Sequence, residues 1–190
     1  MADAADANEP PCFLKRTVAF FIDYFIFMIW LAALFFLSTV LNRVVPFHSL
    51  MESSYGFRHS ISFLTTTLPL ITYFILMERS RKQASVGKVV LGFRVAHTDG
   101  GRAPLKCLVI RNVIKFLPWE MAHTIIHLNP ALFTSENNMI WLLIIPQGIM
   151  LLYAAMIVIR KDNRSIYEIL SRTCVVKDRN IEYPTRNYEC

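Results

Sequence analysis

Apolar runs dominate the chain and predict helices that cross a membrane. The longest run covers residues 18–41, and Asp23 is its only charge. A second run covers residues 61–77, and a third covers residues 139–159. Each run falls within or near the ~17–25 residues with which an α-helix crosses a bilayer. We therefore expect an integral membrane protein in which these three segments span the lipid.

Residues 105–128, between the second and third runs, admit two interpretations. Apolar side chains recur there at helical spacing, Arg111 and Lys115 occupy another face, and the apolar pattern continues beyond Pro118. A basic amphipathic helix of this kind can lie in the membrane interface. Alternatively, the stretch from 107 to 128 crosses the bilayer as a fourth span.

The distribution of basic residues favours the fourth crossing. One basic cluster follows Glu78, and another begins at Arg160. Lys and Arg are retained on the cytoplasmic side of membranes, and a further span between the clusters places both there. We therefore predict four spans, both termini in the cytoplasm and a location in the cell membrane. Three spans with an interfacial helix is the alternative.

Two short segments have the character of β-strands. Residues 88–97 are rich in β-branched side chains and precede Asp99-Gly100, a dipeptide typical of tight turns. We expect residues 89–95 to pair with residues 173–177 on the cytoplasmic side. The predicted fold class is an all-α multipass membrane protein with about four transmembrane helices and a small cytoplasmic β element.

Composition and charge agree with one membrane domain and disfavour other classes. The chain has 190 residues, of which 54% are hydrophobic and 13% aromatic, more than an ordinary soluble domain of this size contains. We predict a membrane domain over residues 13–177 between an N-terminal disordered tail, 1–12, and a C-terminal tail, 178–190. The net charge of +6 comes from residues lying between spans, so lipid rather than nucleic acid is the expected partner.

Asp23 is the most informative single residue because a carboxylate inside lipid is costly unless it has a partner, a proton or a function. Arg16 lies two helical turns earlier, ~10 Å along the axis, too far for a direct pair. Ala19 between them leaves room for another segment to approach. We expect Arg111, aided by Asn112, to pair with Asp23 and lock two helices together. The alternative is that Asp23 titrates or binds a cation during transport.

Other candidate sites are weaker. Glu120, His123 and His127 share one helical face, which suits either a metal or proton-relay site or a polar stripe near the membrane boundary. Gly87-Lys88 lacks the flanking residues of a phosphate-binding loop. No nucleophile with a matching base is apparent. We therefore expect no enzymatic activity, no cofactor and no metal.

Four elements of the chain resemble the RDD family of integral membrane proteins. Arg16-x-x-Ala19-x-x-x-Asp23 is similar to the family's first element. The segment 85–95 with Asp99-Gly100, the pair Arg111-Asn112, and the closing segment 165–176 resemble the others. In the closing segment Glu168 stands where the family usually has an aspartate. The resemblance singles out these residues: Arg16, Asp23, Gly87, Lys88, Arg111, Asn112 and Glu168.

The resemblance implies a role in transport, with cation/proton exchange suggested for some members. From this resemblance we derive two alternative expectations for the function of the protein. The first is transport of a small solute or cation, with Asp23 central. The second is a non-catalytic structural or adaptor subunit of a membrane protein complex, whose charges specify helix pairing. Either role suits a homo-oligomer or an assembly with other membrane proteins, since four spans are few for a transporter. We also expect Glu168 to lie near the basic residues of segment 79–88.

Overall fold

The computed structural model describes residue 11, residues 13–46, 49, 51, 54–128 and 138–178, so the predicted tails lie outside it except for Pro11 and Asp178. The elements in chain order are helix α1 (Phe13–Leu41), helix α2 (Tyr55–Arg79), helix α3 (Val86–Val90), strand β1 (Phe93–His97), helix α4 (Leu105–Leu128), helix α5 (Ile144–Ile159), helix α6 (Ile166–Leu170) and strand β2 (Thr173–Lys177). A 3₁₀ turn, Asn138–Leu143, precedes α5.

Three of the described helices are long and apolar enough to cross a membrane. They are α1, α2 and the helical stretch Trp141–Ile159 that includes α5. Large apolar side chains on α1 remain exposed, including Phe25 and Phe35, which suits contact with lipid rather than water. The three apolar runs of the sequence therefore form helices, as predicted. Helix α4 does not qualify by composition because it carries several charged residues.

Helix α2 contains an irregular turn that lies beside α1. Residues Phe63–Thr67 are π-helical and stand just before Pro69, which has no backbone N–H for the helical ladder. The Thr65 hydroxyl donates to the Ile61 carbonyl at 2.7 Å. The Thr65 carbonyl accepts a bond from the Trp30 indole at 3.0 Å. The irregular turn thus ties α2 to α1.

Helix α4 runs antiparallel to α2 and contacts it from end to end. Near the start of α4, the Asn112 amide donates to Glu78 at the end of α2. Midway, the rings of Phe116 and Phe74 lie 5.1 Å apart. At the far end, the Arg58 guanidinium donates to the His127 carbonyl at 2.7 Å. The two helices therefore lie side by side over the same length of the bundle.

The two strands form an antiparallel ribbon at the same end of the molecule as the start of α4. Val95 pairs with Val175, and Phe93 pairs with Lys177. The buried face of the ribbon packs on Ala103 and Leu108. The predicted pairing of these two chain segments is confirmed.

The predicted start of the first strand is wrong. Residues Val86–Val90 form helix α3, and the strand begins only at Phe93. Gly92, with φ of 72°, turns the chain from helix into strand. The β-branched valines favour a strand locally, but contacts between α3 and α1 override that preference.

Candidate functional site: a buried charge network

Asp23 is buried and accepts hydrogen bonds from uncharged donors. Its two carboxylate oxygens take the Ser85 hydroxyl at 2.6 Å and the Gly87 backbone N–H at 2.8 Å. The Tyr73 hydroxyl adds a third, longer bond at 3.3 Å. The predicted pair with Arg111 is wrong, because that guanidinium is bound to other carboxylates. Instead, Asp23 anchors the first turn of α3 against α1.

Gly87 is required at this position because α3 approaches the backbone of α1. A Cβ built on Gly87 would collide with the Ala19 carbonyl and lie 3.1 Å from the Asp23 Cγ. Ala19 is itself buried. The room that Ala19 was predicted to leave is therefore occupied by α3. Of the three named positions of the first motif, Ala19 and Asp23 both meet α3, whereas Arg16 reaches α6.

Glu168, on α6, is a fully buried carboxylate held by two arginines. Arg16 donates from Nη1 to both of its oxygens, at 2.9 and 3.1 Å. Arg111 donates at 3.2 Å, and the Ser165 backbone N–H completes a capping box at 3.0 Å. Burial raises the pKa of Glu168, but the charges of Arg111 and Arg16 outweigh it and hold the pKa below its usual value. The expectation that Glu168 lies near the basic residues of segment 79–88 stays a prediction, since the ion pairs described for Glu168 are with Arg16 and Arg111.

Glu78, at the end of α2, is the second fully buried glutamate. Lys88 from α3 donates to one oxygen at 2.5 Å, and the Asn112 amide donates to the other at 2.9 Å. The Arg111 Nε lies 3.5 Å from that second oxygen. Arg111 also donates to the Thr173 hydroxyl at 2.8 Å. It therefore joins both glutamates and connects α2, α4, α6 and β2.

The structure brings all seven residues of the family resemblance into one network, whose two parts, around Asp23 and around the glutamates, are joined through the adjacent residues Gly87 and Lys88 of α3. It adds residues that the sequence reasoning did not select: Tyr73, Glu78, Ser85 and Thr173. Glu78 could have been selected from the sequence, since it is the only acidic residue where the second apolar run meets a basic segment. The uncharged donors could not have been selected in this way, because charge does not distinguish one serine, tyrosine or backbone N–H from the others in the sequence.

Lys115 is a cation inside the bundle that has no carboxylate in ion-pair contact among the described residues. Its ammonium lies 3.6 Å from the centre of the Phe74 ring and 4.9 Å from that of Phe116. The aromatic faces provide a weaker, electrostatic partner. Together with Arg16, Lys88 and Arg111, Lys115 brings the cations of this region to four among the described residues, whereas the buried carboxylates number three.

The acidic and histidine residues of α4 form a second polar cluster near the end of the helix. Glu120 accepts a bond from the Thr67 hydroxyl at 2.6 Å and lies 3.1 Å from His59 Nε2, both on α2. The His123 ring packs on Trp119, with 4.5 Å between centroids. Among the described residues, no set of three or more His, Cys, Asp or Glu side chains is arranged to hold a metal ion. Glu120 instead connects α4 to α2.

A cavity of about 240 Å³ lies between α1 and α2 beside Asp23. It is lined by Asp23, Ile26, Phe27, Trp30, Pro69, Leu70 and Tyr73. Apolar side chains make up most of this lining. The cavity therefore offers little to replace the hydration shell of an ion apart from the Asp23 and Tyr73 oxygens.

Comparison with known families places this network in context. The RDD family matches residues 10–172, which include every residue of the network except Thr173. No curated protein and no solved structure matches the chain. Because the match covers most of the sequence, and because the residues of its motifs meet in one buried network, the chain belongs to the RDD family.

Proposed function

We propose that this protein is a non-catalytic structural or adaptor subunit of a membrane protein complex. One observation carries the proposal: both oxygens of all three buried carboxylates already have partners within the chain. A carboxylate that carries a cation or proton must release its partners during each cycle. Removing one partner from a buried ion pair costs roughly 3–5 kcal/mol, so such release is expensive here.

The contacts of the network support a scaffolding role. Arg111 alone contacts two glutamates and the β ribbon. Asp23 fixes α3 to α1 through Ser85 and Gly87. These bonds hold helix ends and the ribbon in one arrangement, and they leave the apolar outer faces of α1 and α5 for lipid, a second copy or another membrane protein.

A four-span topology with cytoplasmic termini belongs to this proposal. Helix α4 has 24 residues, about 36 Å at 1.5 Å per residue, which exceeds the ~30 Å hydrocarbon core. It also lies beside α2 over the whole depth of that span. Its Arg111 is buried and paired, so its charge need not face lipid. The charged network and ribbon then lie at the cytoplasmic side of the cell membrane.

A second candidate, transport of a small solute or cation, is favoured by the cavity beside Asp23. The cavity has room for several water molecules and includes one carboxylate and one phenol among its lining. Transport would require Asp23 to exchange its Ser85 and Gly87 donors for the cargo.

The two functions are separated by one pair of measurements on the full chain. Protein reconstituted in liposomes is assayed for proton and cation flux with entrapped dyes, and the native membrane is treated with a cross-linker. The adaptor proposal expects no protein-dependent flux and discrete cross-linked complexes. Flux that the parent protein supports and a folded Asp23→Asn variant loses would establish transport instead.

A further inference from the structure

We infer that Arg16 and Arg164 form a binding site for the phosphate of an anionic phospholipid headgroup at the membrane interface. The two arginines, which are far apart in the sequence, both contact Glu168. Arg16 donates to the carboxylate, and Arg164 donates from Nη2 to the Glu168 backbone carbonyl at 3.2 Å. The site is distinct from the helix-pairing role of the network.

Two nitrogen atoms on these arginines have no hydrogen-bond partner among the described residues. Arg16 Nη2 and Arg164 Nε are both buried from solvent, and neither makes a hydrogen bond in the described part of the structure. The Arg16 side chain is only 10% exposed. A buried charged donor without an acceptor is costly, so an acceptor other than the described residues would stabilise both groups.

The local charge favours an anion as that acceptor. Arg16 and Arg111 bind the Glu168 carboxylate, Arg164 binds the Glu168 backbone carbonyl, and Arg111 is shared with Glu78. Asp162, in the connection between α5 and α6, accepts two bonds of 2.8 Å from Arg160. The arginines that contact Glu168 therefore carry more positive charge than it neutralises.

The position in the fold identifies the anion as a lipid headgroup. Arg16 is in the first turn of α1, and Arg164 follows the end of α5 by five residues. Both helices are apolar enough to span, so these ends lie at the level of the headgroups. In the proposed orientation this is the cytoplasmic leaflet, which carries the anionic lipids, and guanidinium groups bind phosphate oxygens well.

Arg160 provides a matched control for Arg164. Both are arginines in the connection between α5 and α6. The Arg160 guanidinium is 43% exposed and is already paired with Asp162. Replacing either residue by glutamine removes one positive charge, but only Arg164→Gln removes an unpartnered buried donor. Glutamine at 164 retains an amide that can donate to a carbonyl.

The test measures lipid retained by the full-length protein. Parent and variant proteins are released from nanodiscs containing equal phosphatidylcholine and phosphatidylglycerol, and bound lipids are counted by native mass spectrometry. We expect preferential retention of phosphatidylglycerol, and about fivefold weaker retention by Arg164→Gln, since one basic side chain near an anionic surface contributes roughly 1 kcal/mol. Arg160→Gln should match the parent. Thermal unfolding checks that each variant is folded.

Three results would overturn the inference. The first is an equal loss of bound phosphatidylglycerol in both glutamine variants, which indicates diffuse surface charge. The second is equal retention of the two lipids by the parent protein. The third is displacement of the lipid by inorganic phosphate, which indicates a site for a free anion. Arg164→Lys keeps the positive charge but removes the Nε donor, and it replaces the glutamine variant in this test if that variant does not fold. It should also retain less phosphatidylglycerol than the parent, and unchanged retention would likewise contradict the proposed contact.

Discussion

Glu168 has a charge state that depends on two arginines from distant parts of the chain. Its carboxylate accepts bonds from Arg16 and Arg111, which lie 152 and 57 residues away. Removing the negative charge takes from Arg16 the carboxylate that it binds in a buried site and leaves Arg111 with Glu78. Breaking such pairs from one side costs roughly 3–5 kcal/mol. The consequences can be measured through substitution and through pH.

We predict that Glu168→Gln lowers the free energy of unfolding by several kcal/mol, of the order that loss of a buried partner costs. The dependence on pH follows from the lowered pKa of Glu168. A carboxyl with a lowered pKa in the folded state stabilises the protein above its unfolded pKa, and this stabilisation is lost as the pH falls through the folded value. Unfolding in detergent, measured from pH 7 downward, should show a smaller difference between parent and variant at acidic pH. A constant difference would contradict the prediction.

Lys115 and Arg111 provide a contrasting pair one helical turn apart. We expect Lys115→Met to leave the melting temperature unchanged or raise it. The reason is that, among the described residues, the ammonium has aromatic faces and no carboxylate in contact, and methionine fills a similar volume. Arg111→Met should lower it strongly, since Glu78 and Glu168 both lose a partner. Thermal unfolding of the two variants under identical conditions is the measurement. Equal destabilisation would show that Lys115 has a partner of comparable strength.

At the scale of elements, the docking of α3 on α1 depends on a glycine. We predict that Gly87→Ala destabilises the protein, because the added methyl group meets the Ala19 carbonyl of α1. Gly148→Ala in α5 is the matched control, since nothing lies within 4 Å of its Cβ position. Alanine in a helix interior is favoured over glycine by roughly 0.5–1 kcal/mol, so the control should be neutral or stabilised. Comparable destabilisation by both substitutions would argue against close packing at Gly87.

Helix α3 also shows why the local residue pattern was insufficient to predict the secondary structure of this segment. Three of its five residues are valines, which favour strands on a pleated surface. The segment instead forms a helical turn whose second backbone N–H is bound by Asp23. That bond comes from a residue 64 positions away, so no local window of sequence contains it.

For the whole molecule, the four-span proposal predicts the location of four positions. Accessibility reporters at Asp99 and Cys190 should be cytoplasmic, and reporters at Ser53 and Ser135 should be external. The reason is that α2 and α4 run antiparallel over the same depth, so a crossing by one implies a crossing by the other. An external reporter at Cys190 would eliminate the fourth span, and with it the cytoplasmic assignment of the network.

The sequence by itself determined the apolar helices, the pairing of the two strands and seven of the residues in the network, but not Tyr73, Glu78, Ser85 or Thr173. Apolar length and strand character are properties of contiguous residues, so pattern suffices for them. The tertiary structure alone decided the partners of each charge. Asp23 was expected to meet the oppositely charged Arg111, but it binds Ser85 and Gly87. Sequence reasoning matches charges by sign, whereas the folded chain also provides hydroxyl and backbone donors whose positions depend on how α1, α3 and α4 pack.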